Sequence, residues 1–384
     1  MKELIVVGGG LLGTAIAYGA ARAGASVTVL DQGDAAHRAS LGNFGLVWVS
    51  GKGDQQPHYA RWCRDAAGTW PALARELREL TGIDVALRQA GGLYLCLTEA
   101  ELNAHAAMLK RIDDSIGGVP FEILDHAALR ALVPSVGPRV AGAAFGRLDG
   151  HCNPLKLLYA LHAGLKSRGV RVVANVDVTH LGRGGSGFHV ECRDGRSWRA
   201  ARVVIAAGLG TQDLAAQVGL HAPVQPNRGQ MLITERLRPF LPYPTAGVRQ
   251  TEEGSVQLGN SFEDVGLDSG TTAATIASIA KDVTTAFPIL AGARLVRAWG
   301  CLRVLTPDSL PIYQESASCP GAFVATSHSG VSLAATHAQV LGPWMAGLAA
   351  APEGIREFAG ERFLDPSRRV ANTFLDAHAH AHAH

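Results

Sequence analysis

The chain has 384 residues, a formal net charge of +2 and 18% charged side chains, a length that accommodates roughly two or three domain-sized units. Hydrophobic residues reach 47% while mean hydropathy is only +0.11, which excludes a disordered polymer and a multispan membrane protein. No stretch approaches the ~20 apolar residues of a spanning helix, and Lys and Arg are scattered without a basic stripe, so a small charged metabolite rather than nucleic acid is the expected partner.

Cys63, Cys96, Cys152, Cys192, Cys301 and Cys319 stand far apart, without Cys-x-x-Cys or zinc-type spacing. A reducing, cytoplasmic setting and no metal site are expected. Met1-Lys2 and the apolar run after it resemble a signal peptide only superficially, because three glycines interrupt the run, and the segment reads as mature structure. The alternating AHAHAHAH of residues 377–384 resembles an engineered affinity tag, so His378, His380, His382 and His384 are set apart from the chemistry.

In chain order, ELIVV (3–7) reads as a buried strand, LLGTAIAYGAARAG (11–24) as a small-residue helix and SVTVL (26–30) as a second strand, together one βαβ unit. A polar, glycine-rich stretch (32–58) interrupts it. From Tyr59 to Thr81 the spacing of Trp62, Ala66, Trp70, Leu73, Leu77 and Leu80 predicts a helix ending at Gly82. GLYLCLT (92–98) predicts a strand, Thr98 with Glu101 a capping box, and Asp125 the start of a short helix ending before Pro134.

Asn153-Pro154 opens a helix with Leu155, Leu158, Leu161 and Leu165 on one face. FHVECR (188–193) and RSWRA (196–200) flank the hairpin turn Asp194-Gly195, and ARVVIAAG (201–208) is another buried strand. Residues 229–234, 245–250 and 255–259 read as strands and 272–287 as a helix. Parallel and hairpin patterns in separated blocks imply an α/β fold built from discontinuous pieces, with an antiparallel sheet inserted between them.

Gly8-x-Gly10-x-x-Gly13 follows a strand and opens a helix, the context of a dinucleotide site. The first glycine permits the tight turn, the second the approach of a pyrophosphate, the third close helix–strand packing, and the helix N-terminus offers amides to phosphate. Asp31 closes the second strand, where a carboxylate accepts ribose hydroxyls. That set does not separate NAD from FAD.

With ASLGNFG (39–45), DGHCNP (149–154), VVIAAGLG (203–210), RGQML (228–232), WGCLRVLTPDSLP (299–311) and SHSG (327–330) in this order, nearly the whole chain resembles the D-amino-acid oxidase superfamily of FAD-dependent amine and amino-acid oxidoreductases. The resemblance implies a Rossmann-like FAD-binding domain from residues 1–85, 148–222 and 298–372. It also implies an inserted α+β substrate domain with a mostly antiparallel sheet from 86–147 and 223–297, and a tail from 373.

On the same ground the residues expected to hold FAD are Gly8, Gly10, Leu11, Leu12, Gly13, Asp31 and Gln32 at the first turn, and Ser40, Asn43, Phe44, Gly45 and Leu46 along the pyrophosphate. Val176 is expected at the adenine, Ala207, Gly208 and Gly210 near the diphosphate, and Gly330, Val331 and Ser332 at the flavin. SHSG departs from the commoner Gly-His-x-x-Gly form through Ser327, which puts its flavin contacts in question. Cys301 stands where some relatives join flavin covalently; a buried free thiol is the alternative.

Arg303 is implied as the grip on the substrate carboxylate, because a guanidinium makes paired, charge-assisted bonds to a carboxylate; pairing with Asp308 is the competing reading. Arg249 either faces the same cavity or points outward. His328 lies beside the flavin by analogy and either contacts substrate or orients the ring, and Tyr59 and Tyr313 are further candidates. The implied activity is oxidation of a carbon–nitrogen bond in an amino acid or N-substituted amino acid, with O2, a quinone or a partner protein as electron acceptor. The alternatives are the FAD-binding subunit of a heteromeric opine-, proline- or hydroxyproline-type dehydrogenase, and an NAD-dependent dehydrogenase. An oligomer or heteromeric complex is compatible with each.

Overall fold

The computed structural model describes residues 3–33, 39–185, 187–259 and 261–365; the alternating histidine tail lies outside the described residues. Strand β1 (Glu3–Val7) turns through Gly8 into helix α1 (Leu11–Arg22), which is buried all round from Gly13 to Ala20 and leads to β2 (Ser26–Leu30). After the short β3 (Leu46–Val47) comes α2 (Pro57–Thr81), ended by Gly82 in left-handed backbone at φ 72°. It starts two residues earlier than Tyr59 because Pro57 suits the first turn. Pro71 sits inside α2 and cannot donate to the Ala67 carbonyl four residues back; the Gln89 amide donates to that oxygen at 2.9 Å instead.

Strand β4 (Gly92–Cys96) stops before the capping box Thr98/Glu101, which opens α3 (Glu99–Ile116) with both reciprocal bonds present. There follow β5 (Phe121–Asp125), α4 (His126–Leu132) capped by Asp125, β6 (Gly142–Gly146), β7 (Gly150–His151) and α5 (Pro154–Ser167). Asn153 caps α5 as expected, but its buried stripe is Leu157, Leu158, Leu161 and Leu165, with Leu155 40% exposed. Positions 155 and 157 flank the face of 158, 161 and 165 on either side, and the packing of α5 against α1 and α2 buries Leu157.

Next are β8 (Arg171–Val173), β9 (Val178–Gly184), β10 (Gly187–Cys192), β11 (Ser197–Ala200) and β12 (Arg202–Ile205). The chain continues through α6 (Thr211–Ala216), β13 (Gln225–Arg236), β14 (Val248–Gln250), β15 (Ser255–Gly259), α7 (Ala273–Ala286), β16 (Leu295–Leu305), β17 (Ile312–Glu315) and β18 (Ala322–Thr326). β14 is shorter than the expected 245–250 because Thr245 closes a turn onto Val248, accepting its amide at 2.8 Å.

The fold is α/β, as expected. A six-stranded sheet runs β17-β18-β12-β1-β2-β8, parallel except for the β17–β18 pair, and separate antiparallel sheets run β14-β15-β13-β16, β4-β6-β5 and β11-β10-β9. The β1–β12 and β1–β2 pairings bring residues 3–30 and 202–205 into one layer, so the central sheet is assembled from distant segments. β16 runs unbroken across residue 298, where the sequence reading places a boundary, because it pairs with β13 from Gln225↔Leu305 to Thr234↔Leu295. One core packs α1, α2 and α5 against the central sheet; another joins β4 and β6 to β13, β14, β15 and α7.

Candidate active site

The glycine turn has the shape of a phosphate cradle. A Cβ at Gly8 would lie 2.2 Å from the Ala206 carbonyl oxygen, and one at Gly13 would lie 2.0 Å from that of Gly8, so turn, helix and β12 meet backbone to backbone. A Cβ at Gly10 would meet only the Ser40 hydroxyl, at 3.1 Å, leaving open space over the start of α1. α1 has no side-chain cap at Gly10, and its first amides have no partner within the helix; Ser40 Oγ accepts the Leu11 amide at 2.9 Å. These residues fit the pyrophosphate of FAD. Leu11 is 3% exposed and Leu12 packs on the same core, so they offer only backbone.

Asp31 accepts the Gly9 amide at 2.7 Å and the Gly33 amide at 3.0 Å, one on each oxygen. Gln32 beside it is exposed. Val176 lies between β8 and β9 rather than in a strand, following Asn175 in left-handed backbone at φ 57°, and its amide donates to the Asp31 carbonyl at 2.9 Å. Ala207 lies against the first turn, its Cα 3.3 Å from a Cβ placed at Gly8, while a Cβ at Gly208 would lie 3.8 Å from Val304 of β16, and exposed Gly210 precedes α6.

The 39–45 segment lies between this turn and the antiparallel sheet. Asn43 Oδ1 accepts the Gly45 amide at 2.8 Å. Gly45, at φ 89°, fits because a side chain there would strike the Cys152 carbonyl oxygen at 2.5 Å. Leu46 pairs with His151 in the β3–β7 ribbon. Ser332 binds this ribbon from behind, donating to the Leu46 carbonyl and accepting the Trp48 amide, each at 3.1 Å, and the Val331 and Ser332 carbonyls accept from the Trp70 indole. Those two side chains are buried and anchor the loop, whereas Gly330 lies beside Leu11 with space above it.

The sheet offers one face to that loop. Arg249 pairs with Gln257 and Gln257 with Ile233; Gly259 and Trp299 flank Met231, Cys301 faces Gly229, and Arg303 faces Asn227. Side chains alternate across a strand, so this set shares a face. Gly42 meets Cys301 and Trp299, Phe44 meets Gly259, and Gly45 meets Arg249, so this is the face that covers the loop. Cys301 also donates to the Ala39 carbonyl at 3.5 Å, and burial raises its thiol above the ordinary range.

Arg303 occupies the space left by Gly229, donates to Asn227 Oδ1 at 3.0 Å and stacks 4.1 Å from the Phe262 ring centre. Burial lowers its pKa to about 10, which leaves it charged at neutral pH. Asp308 is not its partner: Arg362 holds that carboxylate at 2.7 and 3.0 Å. Arg249 is not outward-facing either, being only 4% exposed. His328 is half-buried in the segment after β18, Tyr59 bonds Ser329 at 2.9 Å, and Tyr313 is buried against His337 at 2.7 Å.

Sequence reasoning missed Gln257, Asn227 and Phe262, which place the two arginines, and His162, whose Nε2 meets the Gly9 carbonyl at 3.1 Å. It also missed Lys52, whose ammonium donates to Ser329 at 2.5 Å. The Gly229 gap opposite Cys301 was readable in RGQML once β13 and β16 were paired; the others carry no local signal.

The family model described as DAO, FAD dependent oxidoreductase, matches residues 3–344. An opine oxidase subunit of Rhizobium meliloti is 40% identical over 346 residues, 90% of this chain and 93% of that protein. Glycine oxidase of Pseudomonas putida is 28% identical over 320 residues, 81% of this chain and 84% of that one. The solved glycine oxidase of Bacillus cereus shares the fold, with a TM-score of 0.84 at 20% identity over 94% of this chain and 98% of that chain.

Proposed function

Since the chain belongs to the DAO family of FAD dependent oxidoreductases, we propose that it oxidises the carbon–nitrogen bond of an N-substituted amino acid, a secondary amine bearing a carboxylate. The observation that carries this reading is the guanidinium of Arg303, pre-positioned by Asn227 and Phe262 on the sheet face that covers the 39–45 loop. It supplies a planar, charged donor pair for a carboxylate, and it costs little reorganisation because Asn227 and the ring already fix its plane.

FAD would be held by the backbone of Gly8 to Gly13, by Asp31, by Ser40 to Leu46 and by Ala207 and Gly208; when bound it supplies acceptance of two electrons from the C–H beside the nitrogen. The protein's share is to orient and to exclude water. Arg303 fixes the carboxylate end, Trp299, Met231 and Phe44 provide apolar walls, and the loop residues Gly42 and Gly45 let backbone come close to the sheet. The imine left after oxidation is split by water to a carbonyl compound and an amine, for which no protein nucleophile is required.

Cys301 reads as a packing thiol at the Gly42 contact, with FAD held non-covalently. Similarity over 90% of the chain to a protein named as a subunit supports a second element of the reading: this chain is the FAD-bearing member of a heteromeric assembly, and electrons leave through a partner. No disulfide joins any of the six cysteines among the described residues, which supports a reducing, cytoplasmic location. Among the described residues no helix is long and apolar enough to cross a membrane.

The test is anaerobic mixing of FAD-loaded protein with secondary amine and primary amino-acid panels, alone and with copurified partners. Reduction of the flavin by secondary amines is expected. Reduction by primary amino acids alone, or by none, contradicts the reading.

A further inference from the structure

The segment Arg228-Gly229-Gln230 of β13 turns alternate positions to opposite faces of the sheet, and each face does something different around Arg303. On the face that carries Arg303, Gly229 is a floor. A Cβ there would lie 2.3 to 2.5 Å from Nη2, Cζ and Nη1 of Arg303, so the guanidinium rests directly on strand backbone. Phe262 forms a wall, its ring centre 4.1 Å from Arg303 Cζ, and Asn227 Oδ1 accepts one N–H at 3.0 Å. The guanidinium thus lies in a slot with a glycine floor and an aromatic side.

The ring is held from the opposite face. Arg228 and Glu263 exchange backbone bonds at 2.8 and 3.0 Å, an antiparallel bridge that sets Phe262 beside Gly229 and turns the Glu263 side chain to the back of the sheet. There the carboxylate accepts Arg228 at 2.7 Å, Gln230 at 3.0 and 3.1 Å, Ser261 at 2.8 Å and Thr275 at 3.3 Å. Ser261 Oγ in turn accepts the Gln230 amide at 2.8 Å, and Gln230 Oε1 accepts the Thr272 amide at 2.9 Å. Arg228, Gln230 and Ser261 are buried. Both neighbours of Phe262 are thereby tied to β13, and a satisfied buried network of this kind rigidifies what it holds.

We propose that this segment is the positioning device for the carboxylate grip: Gly229 fixes where the Arg303 guanidinium lies, and Arg228 and Gln230, through Glu263, fix the ring beside it. The inference rests on the reading of Arg303 as the group that takes the substrate carboxylate, and adds positioning residues to it. A side chain at position 229 displaces the guanidinium. The atoms it meets are the far end of a flexible side chain, so the strand itself is undisturbed, and Ala suits a strand interior better than Gly does. Gly229→Ala therefore moves the grip and leaves the fold in place.

The test is a double-mutant cycle on the binding of methylthioacetate, a carboxylate that lacks the oxidisable amine, to FAD-loaded protein, followed by flavin absorbance and by equilibrium dialysis. Arg303→Gln is expected to weaken binding about 10- to 100-fold, and Gly229→Ala about as much. Gln230→Met keeps length and charge while removing the side-chain bonds to Glu263 and Thr272, and should weaken binding roughly three- to tenfold. In the Arg303→Gln background neither second substitution changes the affinity further. A residue that merely stabilises the sheet would weaken binding by the same factor in both backgrounds.

Equal affinity of Gly229→Ala and the unmodified protein overturns the proposal, as does an effect of either substitution that persists undiminished beside Arg303→Gln. A loss seen in Gly229→Ala alone overturns the part given to Gln230 and Glu263. If Gln230→Met takes up no FAD, Gly229→Ala decides. Absence of methylthioacetate binding to the unmodified protein by either measure removes the carboxylate grip and the proposal with it. Failure of the amine reading has a separate signature: the cycle closes as expected, but no secondary amine reduces the flavin, and the substrate assignment falls while the positioning of Arg303 stands.

Discussion

Gly10 and Gly13 lie three residues apart in one turn, and their surroundings predict opposite consequences of adding a side chain. At Gly13 a Cβ would sit 2.0 Å from the Gly8 carbonyl oxygen and 3.1 Å from its carbon. Both are backbone atoms, so α1 must move away from the turn, and Gly13→Ala is expected to cost about 1–3 kcal/mol in the apoprotein, as overpacking does. At Gly10 the only atom within 4 Å is Ser40 Oγ at 3.1 Å, and the backbone is extended at φ −73° and ψ −179°, which any residue adopts. Gly10→Val should therefore leave the apoprotein within about 1 kcal/mol, the usual scale for a changed helix cap.

The same substitution fills the space over the α1 amides. Loss of two charge-assisted phosphate contacts corresponds to about 3–6 kcal/mol, or roughly 10²- to 10⁴-fold weaker FAD binding. Thermal unfolding of the apoproteins and fluorescence-quenching titration with FAD separate the two effects. FAD bound by Gly10→Val within threefold of the unmodified protein would refute the placement of the pyrophosphate over this turn.

Other consequences are independent. Arg303→Gln should raise KM for a carboxylate-bearing amine about 10- to 100-fold, the worth of hydrogen bonds to a charged group, while FAD content stays level; an unchanged KM assigns Arg303 to packing against Phe262. Acid precipitation of holoprotein should release the yellow colour to the supernatant in both Cys301→Ser and the unmodified protein, and colour kept in the pellet of the latter alone would show a thioether at Cys301. Asp308→Ala strands the buried Arg362 guanidinium and should cost about 3–5 kcal/mol in chemical denaturation.

Stability should also fall with acid. His151 and His337 are held at about 3 and His105 at about 4, all chiefly by burial, against 6.5 when unfolded; the native state thus binds fewer protons at these sites as pH drops from 6.5. Asp149, raised by burial to about 6, opposes them with one proton held in the native state. Unfolding between pH 6 and 4 then takes up about two net protons, so stability declines by roughly 3 kcal/mol per pH unit lowered. A flat unfolding free energy over that window contradicts the buried neutral histidines.

What could be read from the residues was local or periodic. The glycine turn, the Thr98/Glu101 box, the Asn153 cap and the Gly82 stop each depend on a few adjacent residues, and they form as read. Where two registers compete, the sequence was silent. Leu155 and Leu157 are equally apolar, and only packing of α5 on α1 and α2 decides which is buried. Arg249 in GVRQT carries no sign of its direction; the pairing of β14 with β15, and of β15 with β13, turns it inward onto the cofactor loop. Gln257, central to that arrangement, is an ordinary strand glutamine until Arg249 and Asn43 are brought to it.

The most direct measurement is an anaerobic titration of FAD-loaded protein with an N-substituted amino acid, followed at the flavin band near about 450 nm. The account predicts bleaching by the secondary amine, with the corresponding primary amino acid far less effective. A flavin that stays oxidised with every secondary amine, or a protein that takes up no FAD, would contradict it.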